Sequence, residues 1–113
     1  MISDVFLERD QEELLTRLVE ADQSLPHAER GAFLLIQTMQ DDFIRHPGLP
    51  DGYMLVHTGN VNVLHDEGLL RVIRQGSATW LFDVSPNGLS LYEEIKTRGH
   101  SSAVDLGGPE PGA

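Results

Sequence analysis

The stretch Leu64-His65-Asp66-Glu67-Gly68-Leu69-Leu70-Arg71 decides the reading, together with Gln75-Gly76-Ser77 and Trp80-Leu81-Phe82-Asp83-Val84-Ser85-Pro86-Asn87-Gly88. It reads as a helix end, a strand, a tight turn, a second strand and a new helix start. Gly68 suits the left-handed position that closes a helix. Leu70 and Val72 alternate with Arg71 and Ile73. Trp80, Phe82 and Val84 alternate with Thr79, Leu81 and Asp83, the period of a half-buried strand. Ser85 is placed to cap the next helix, with Pro86 at its first position. Leu89, Tyr92 and Ile95 line that helix's buried side.

Toward the N-terminus, Leu14, Leu15, Leu18 and Val19 form a helical stripe, with Asp10 and Glu13 spaced as a capping box at its start. Pro26 suits the first turn of a second helix, and Ala28, Ala32, Phe33, Leu35, Ile36, Met39, Phe43 and Ile44 give that helix a broad apolar face ending near His46. Pro47-Gly48 stops it. Pro50-Asp51-Gly52 turns the chain. Tyr53-Met54-Leu55-Val56-His57 fits either a strand or a short helix, and Val61 to Glu67 fits either as well. The expected core joins Phe33, Ile36, Leu64, Leu70, Trp80, Phe82, Tyr92 and one of Leu89 and Leu91.

The chain has 113 residues and a formal net charge of -10. That length implies one domain, expected over 1–98, followed by a disordered tail over 99–113 rich in Gly, Pro and Ser. There is no cysteine. Disulfides and thiolate zinc sites are therefore excluded, and a cytoplasmic location is expected. No basic region precedes an apolar run at Met1-Ile2-Ser3-Asp4, so no signal peptide is read there. The longest apolar run, Ala32 to Ile36, is too short to span a bilayer. Eleven acids face four arginines in residues 1–56, whereas Gly68 to Phe82 holds Arg71 and Arg74 and no acid. Clustered cations of that kind are what phosphate binding uses.

These residues resemble a winged-helix domain over roughly residues 50–97, similar to bacterial regulators of the MarR and PadR groups. The resemblance implies an α+β, mainly helical fold: two N-terminal helices, a β-hairpin wing around Gln75-Gly76-Ser77 and a C-terminal helix. It implies a DNA-binding regulator acting as a homodimer, with the apolar face of Ala28 to Ile44 at the dimer interface. Asn60, Asn62 and His65 would then face base edges. Arg71 and Arg74 would sit near phosphates, with Ser77 at the wing tip. The sequence departs from the family in lacking Lys or Arg on the helix that would enter the groove.

Each candidate has a plainer explanation. Asn60 and Asn62 suit turns and caps for local reasons. The arginines suit a strand edge, where charge discourages edge pairing. His65, Asp66 and Glu67 are neighbours on a helix and diverge by about 100° each, so they do not converge on one metal ion. No cofactor site and no catalytic constellation is evident, and a non-enzymatic protein is expected. The alternative to DNA is a basic protein partner, held by an acidic face that includes Glu12, Glu13, Asp41 and Asp42. An alternative fold makes Tyr53–His57 and Val61–His65 strands of a four-stranded meander.

Overall fold

A computed structural model describes residues 6–107, with side chains described over 6–98. Helix α1 spans Arg9–Gln23. Strands β1 (Phe33–Gln37), β2 (Asp42–Arg45) and β3 (Tyr53–Val56) follow. Helix α2 (Thr58–Asp66) precedes β4 (Leu70–Gln75) and β5 (Thr79–Val84), and α3 runs Pro86–Gly107. Short 3-10 turns occupy His27–Glu29 and Pro50–Gly52. The strands form one five-stranded antiparallel sheet in the order β3-β2-β1-β5-β4.

This architecture overturns the winged-helix expectation of two N-terminal helices, a hairpin wing and a C-terminal helix. The error lies in Ala28 to His46, where a strand hairpin stands in place of the second helix. The unbroken run Phe33-Leu34-Leu35-Ile36 is the central strand of the sheet, apolar on both of its faces. It pairs with β2 on one side and β5 on the other. The Thr38 hydroxyl builds the turn, accepting from the Asp41 N–H at 3.0 Å and donating to the Asp41 carbonyl. Met39, counted on the expected helical face, sits at the tip of this turn and is fully exposed. The meander alternative fails at Val61–His65, which is helical, although Tyr53–Val56 is a strand.

The remaining elements start where local chemistry directs them. The partner of the first helix start is Glu8, not Asp10: the Glu8 N–H donates to Gln11 Oε1 at 2.9 Å. Gly68, at φ 78°, ends α2, and the Leu69 N–H reaches back to the Leu64 carbonyl. Ser85 accepts from the Gly88 N–H at 3.1 Å and donates to the Gly68 carbonyl at 2.6 Å, so one hydroxyl starts α3 and ties it to the end of α2. Helix α3 continues through Gly99 to Gly107, past the expected boundary at Arg98; residues 108–113 lie outside the described residues.

One face of the sheet carries Phe33, Leu35, Ile44, Leu70 and Phe82, all buried against Leu15, Leu18, Val61, Leu64, Leu91 and Tyr92 of the helices. Trp80 is half-buried on this face, with His65 edge-on at 5.5 Å. One expected core member is displaced: Ile36 lies half-buried on the opposite sheet face; of Leu89 and Leu91, Leu91 is the one in the core and Leu89 is exposed. Close approach is enforced by glycine at two points. A Cβ on Gly48 would stand 1.9 Å from the Ala21 carbonyl oxygen, and one on Gly88 would stand 2.3 Å from the Leu69 carbonyl oxygen. Beside Gly48, the buried His46 ring stacks on Phe33 with centroids 4.1 Å apart. It accepts the Gly48 N–H at Nδ1 (3.0 Å) and meets Asp22 at Nε2 (3.3 Å). This knot fixes the end of β2 and the loop that follows it against the end of α1.

Candidate binding surface

Side chains alternate across a strand, so the sheet's second face can be read from register. Leu34 and Ile36 of β1 point away from the helices. Leu34 stands between Arg45 and Leu81, and Ile36 between Phe43 and Thr79. Phe43 stands opposite Leu55, and Arg45 opposite Tyr53. Phe43 and Tyr53 touch edge to face at 6.1 Å. Among the described residues no helix covers this face. Tyr53 is 50% exposed and Leu55 64%. An exposed apolar patch of this extent marks an interaction surface more often than chance.

The ionic groups on this face are Arg45, Arg71, Arg74 and Asp83. Asp83 is engaged: Arg71 Nε and a terminal nitrogen donate to its two oxygens at 3.0 and 2.5 Å. That bidentate bond, more than the charge alone, raises the Arg71 pKa further above its usual value. Arg45 and Arg74 make no side-chain ion pair among the described residues. The open face is therefore apolar with a basic excess. The acids concentrate on the helices instead, with Asp10, Glu12, Glu13, Glu20 and Asp22 on α1.

The expected nucleic-acid contacts do not share a surface. Asn60, Asn62 and His65 lie on α2, in the helical layer. Arg71 and Arg74 point to the open face on the other side of the sheet, and Ser77 is exposed in the β4–β5 turn. Asn62 is exposed, whereas Asn60 is half-buried. The acidic candidates divide in the same way. Glu12 pairs with Arg98 at 3.1 Å, and Glu13 is exposed on α1. Asp41 sits in the β1–β2 turn, and Asp42, at the start of β2, accepts from the Thr58 hydroxyl at 2.5 Å. Asp41 and Asp42 were expected on a helix and are on a hairpin.

Sequence reasoning missed Leu34, Ile36, Phe43, Tyr53, Leu55 and Leu81 as a surface. Tyr53 to Val56 is apolar throughout, so no local alternation separated its two faces; that depended on knowing which strands lay beside β3.

A groove separates β3 from α1 on the helical side. One part, about 520 Å³, lies between Glu20 and Ala21 of α1 and Leu49, Tyr53 and Met54. A second part, about 210 Å³, continues along Met54 to His57 beneath Asp10 and Glu13. Among the described residues no cluster of three His, Cys, Asp or Glu side chains could hold a metal ion. No helix there is long and apolar enough to cross a membrane. No family model matches this chain, and no curated protein or solved structure matches it either.

Proposed function

We propose that this protein is a non-enzymatic binding module that receives a partner polypeptide on its open sheet face. The observation that carries the reading is the uncovered apolar surface of Leu34, Ile36, Phe43, Tyr53, Leu55 and Leu81, rimmed by Arg45 and Arg74. An apolar centre with aromatic groups and an arginine rim is the composition of a protein interface. Nucleic-acid binding would instead draw on several cations per site. Here Arg71 is held by Asp83, and the helix expected to enter a groove lies on the far side of the sheet.

Photo-crosslinking in cells tests this reading. A benzophenone amino acid at Phe43 should trap a polypeptide, while the same group at Glu93 on α3 should not. The reading is overturned if Phe43 yields no protein adduct while the purified chain shifts genomic DNA fragments at moderate salt.

A further inference from the structure

The two edges of the sheet differ in how they are guarded. Edge strand β4 carries the exposed Arg71 and Arg74 and breaks register with a bulge between Val72 and Arg74. Charge and bulges are the usual devices against pairing with another chain. Edge strand β3 has neither. Tyr53-Met54-Leu55-Val56 carries no charge and no proline, and its register with β2 is unbroken.

The orientation of the β3 backbone follows from one hydrogen bond. The His46 N–H donates to the Gly52 carbonyl at 3.0 Å, in the same register as the rest of the β2–β3 ladder. Antiparallel pairs alternate between bonded and non-bonded types. Ile44 with Met54 and Asp42 with Val56 are then the bonded pairs, so the backbone groups of Tyr53, Leu55 and His57 point away from β2. The Tyr53 N–H is taken by the Pro50 carbonyl, and the His57 carbonyl by the Asn60 N–H. The Tyr53 carbonyl, both Leu55 groups and the His57 N–H have no backbone partner among the described residues.

We propose that β3 accepts an extended segment of the partner as a further strand, and that this segment alternates apolar and basic residues. The proposal rests on the polypeptide-binding reading above and names the mode and the partner's chemistry. Residues of the incoming strand opposite Tyr53 and Leu55 extend the open face, where Phe43, Tyr53 and Leu55 favour apolar side chains. The intervening residues point into the groove between β3 and α1. That groove is lined by Asp10, Glu13, Glu20 and Asp51 against the single cation Arg17, so it selects Lys or Arg. Main-chain bonds supply affinity and the alternating surroundings supply specificity. A second copy of this chain is the poorer occupant, because pairing β3 with β3 brings two acidic grooves together.

Panning the full chain against displayed random peptides of about ten residues, long enough to cover β3, tests the proposal. Enriched peptides should alternate apolar and basic residues. Leu55→Pro removes an N–H that points to solvent, a position where proline is tolerated on an edge strand. It should weaken binding by up to roughly tenfold, the upper range for one lost backbone hydrogen bond. The double change Glu13→Lys and Glu20→Lys leaves the backbone untouched and should shift enrichment toward acidic peptides. It keeps the proposal testable if the proline variant does not fold. Enrichment that is blocked by Leu81→Lys but indifferent both to Leu55→Pro and to the double change on α1 would sink strand addition and leave the binding-module reading standing. Absence of enrichment, with no crosslink from Phe43, would remove both. Self-association lost in Leu55→Pro would assign the edge to a second copy and overturn the stated partner chemistry.

Discussion

The two faces of this sheet are made by the same strands yet meet different environments. The inner face of β1 and β5 presents Phe33, Leu35 and Phe82, all fully buried beneath helices. One residue along, the outer face presents Leu34, Ile36 and Leu81, only half-buried and with no layer above them. The chain thus spends large apolar side chains where folding alone gives them no cover. The difference separates residues that hold the fold from residues available to a partner, and substitutions on the two faces should behave accordingly.

The largest contrast should come from truncating one large side chain on each face. Phe82→Ala leaves a cavity beside Phe33, whose ring lies 5.5 Å away, and should cost about 3–5 kcal/mol in urea unfolding. Leu55→Ala on the outer face should stay within about 0.5 kcal/mol of the parent, the usual range for surface changes. Equal losses at the two positions would mean that the outer face is packed in the free protein. Gly88→Ala comes next. Its Cβ meets the Leu69 backbone at 2.3 Å and the stiff, branched Val84 side chain at 2.6 Å, so about 1–3 kcal/mol of overpacking strain is expected. A neutral result would show that α3 can slide on the sheet. Ser85→Ala removes the cap of α3 and should cost about 1 kcal/mol, read as a shift in the urea midpoint without a change in slope.

The smallest effect concerns pH. Burial, reinforced by Glu20 and the hydrogen bond Tyr92 donates to it at 3.2 Å, raises the Tyr92 pKa above its usual value of 10.0. The folded state then holds the phenolic proton to higher pH than the unfolded state does. Stability from this group is fully present below pH 10.0 and declines as pH rises through the higher folded value. Tyr92→Phe should flatten that alkaline decline, as followed by thermal melts at a series of alkaline pH values. An unchanged alkaline slope would show that Tyr92 plays no part in it.

How much of this was legible in the sequence differs between the two halves of the chain. The β4–β5 hairpin and the start of α3 were readable because their signals are local: a period of two through Trp80, Phe82 and Val84, a glycine-containing turn, and Ser85-Pro86. The end of α2 was readable for the same reason at Gly68. The stretch Ala28 to His46 was misread because Phe33 to Ile36 is apolar at every position. A central strand and a buried helix segment give the same run, and only non-local pairing with β5 distinguishes them. That error also hid the binding surface. Leu34, Ile36 and Phe43 become one patch only when β1 and β2 are strands in register with β3 and β5. On the helix expected there, Ile36 and Phe43 shared an apolar face that Leu34 did not join. Arg71 and Arg74 were correctly placed on a hairpin, but the sequence did not show that Asp83, directly opposite, takes up Arg71.

Amide hydrogen exchange of the full chain, alone and with the partner or peptide that it captures, tests the central claim most directly. The account predicts new protection at the Leu55 and His57 amides and on the strands beneath Leu34 and Phe43, with α3 unchanged. Protection confined to α2 or to the β4 edge, with β3 exchanging as fast as in the free chain, would contradict it.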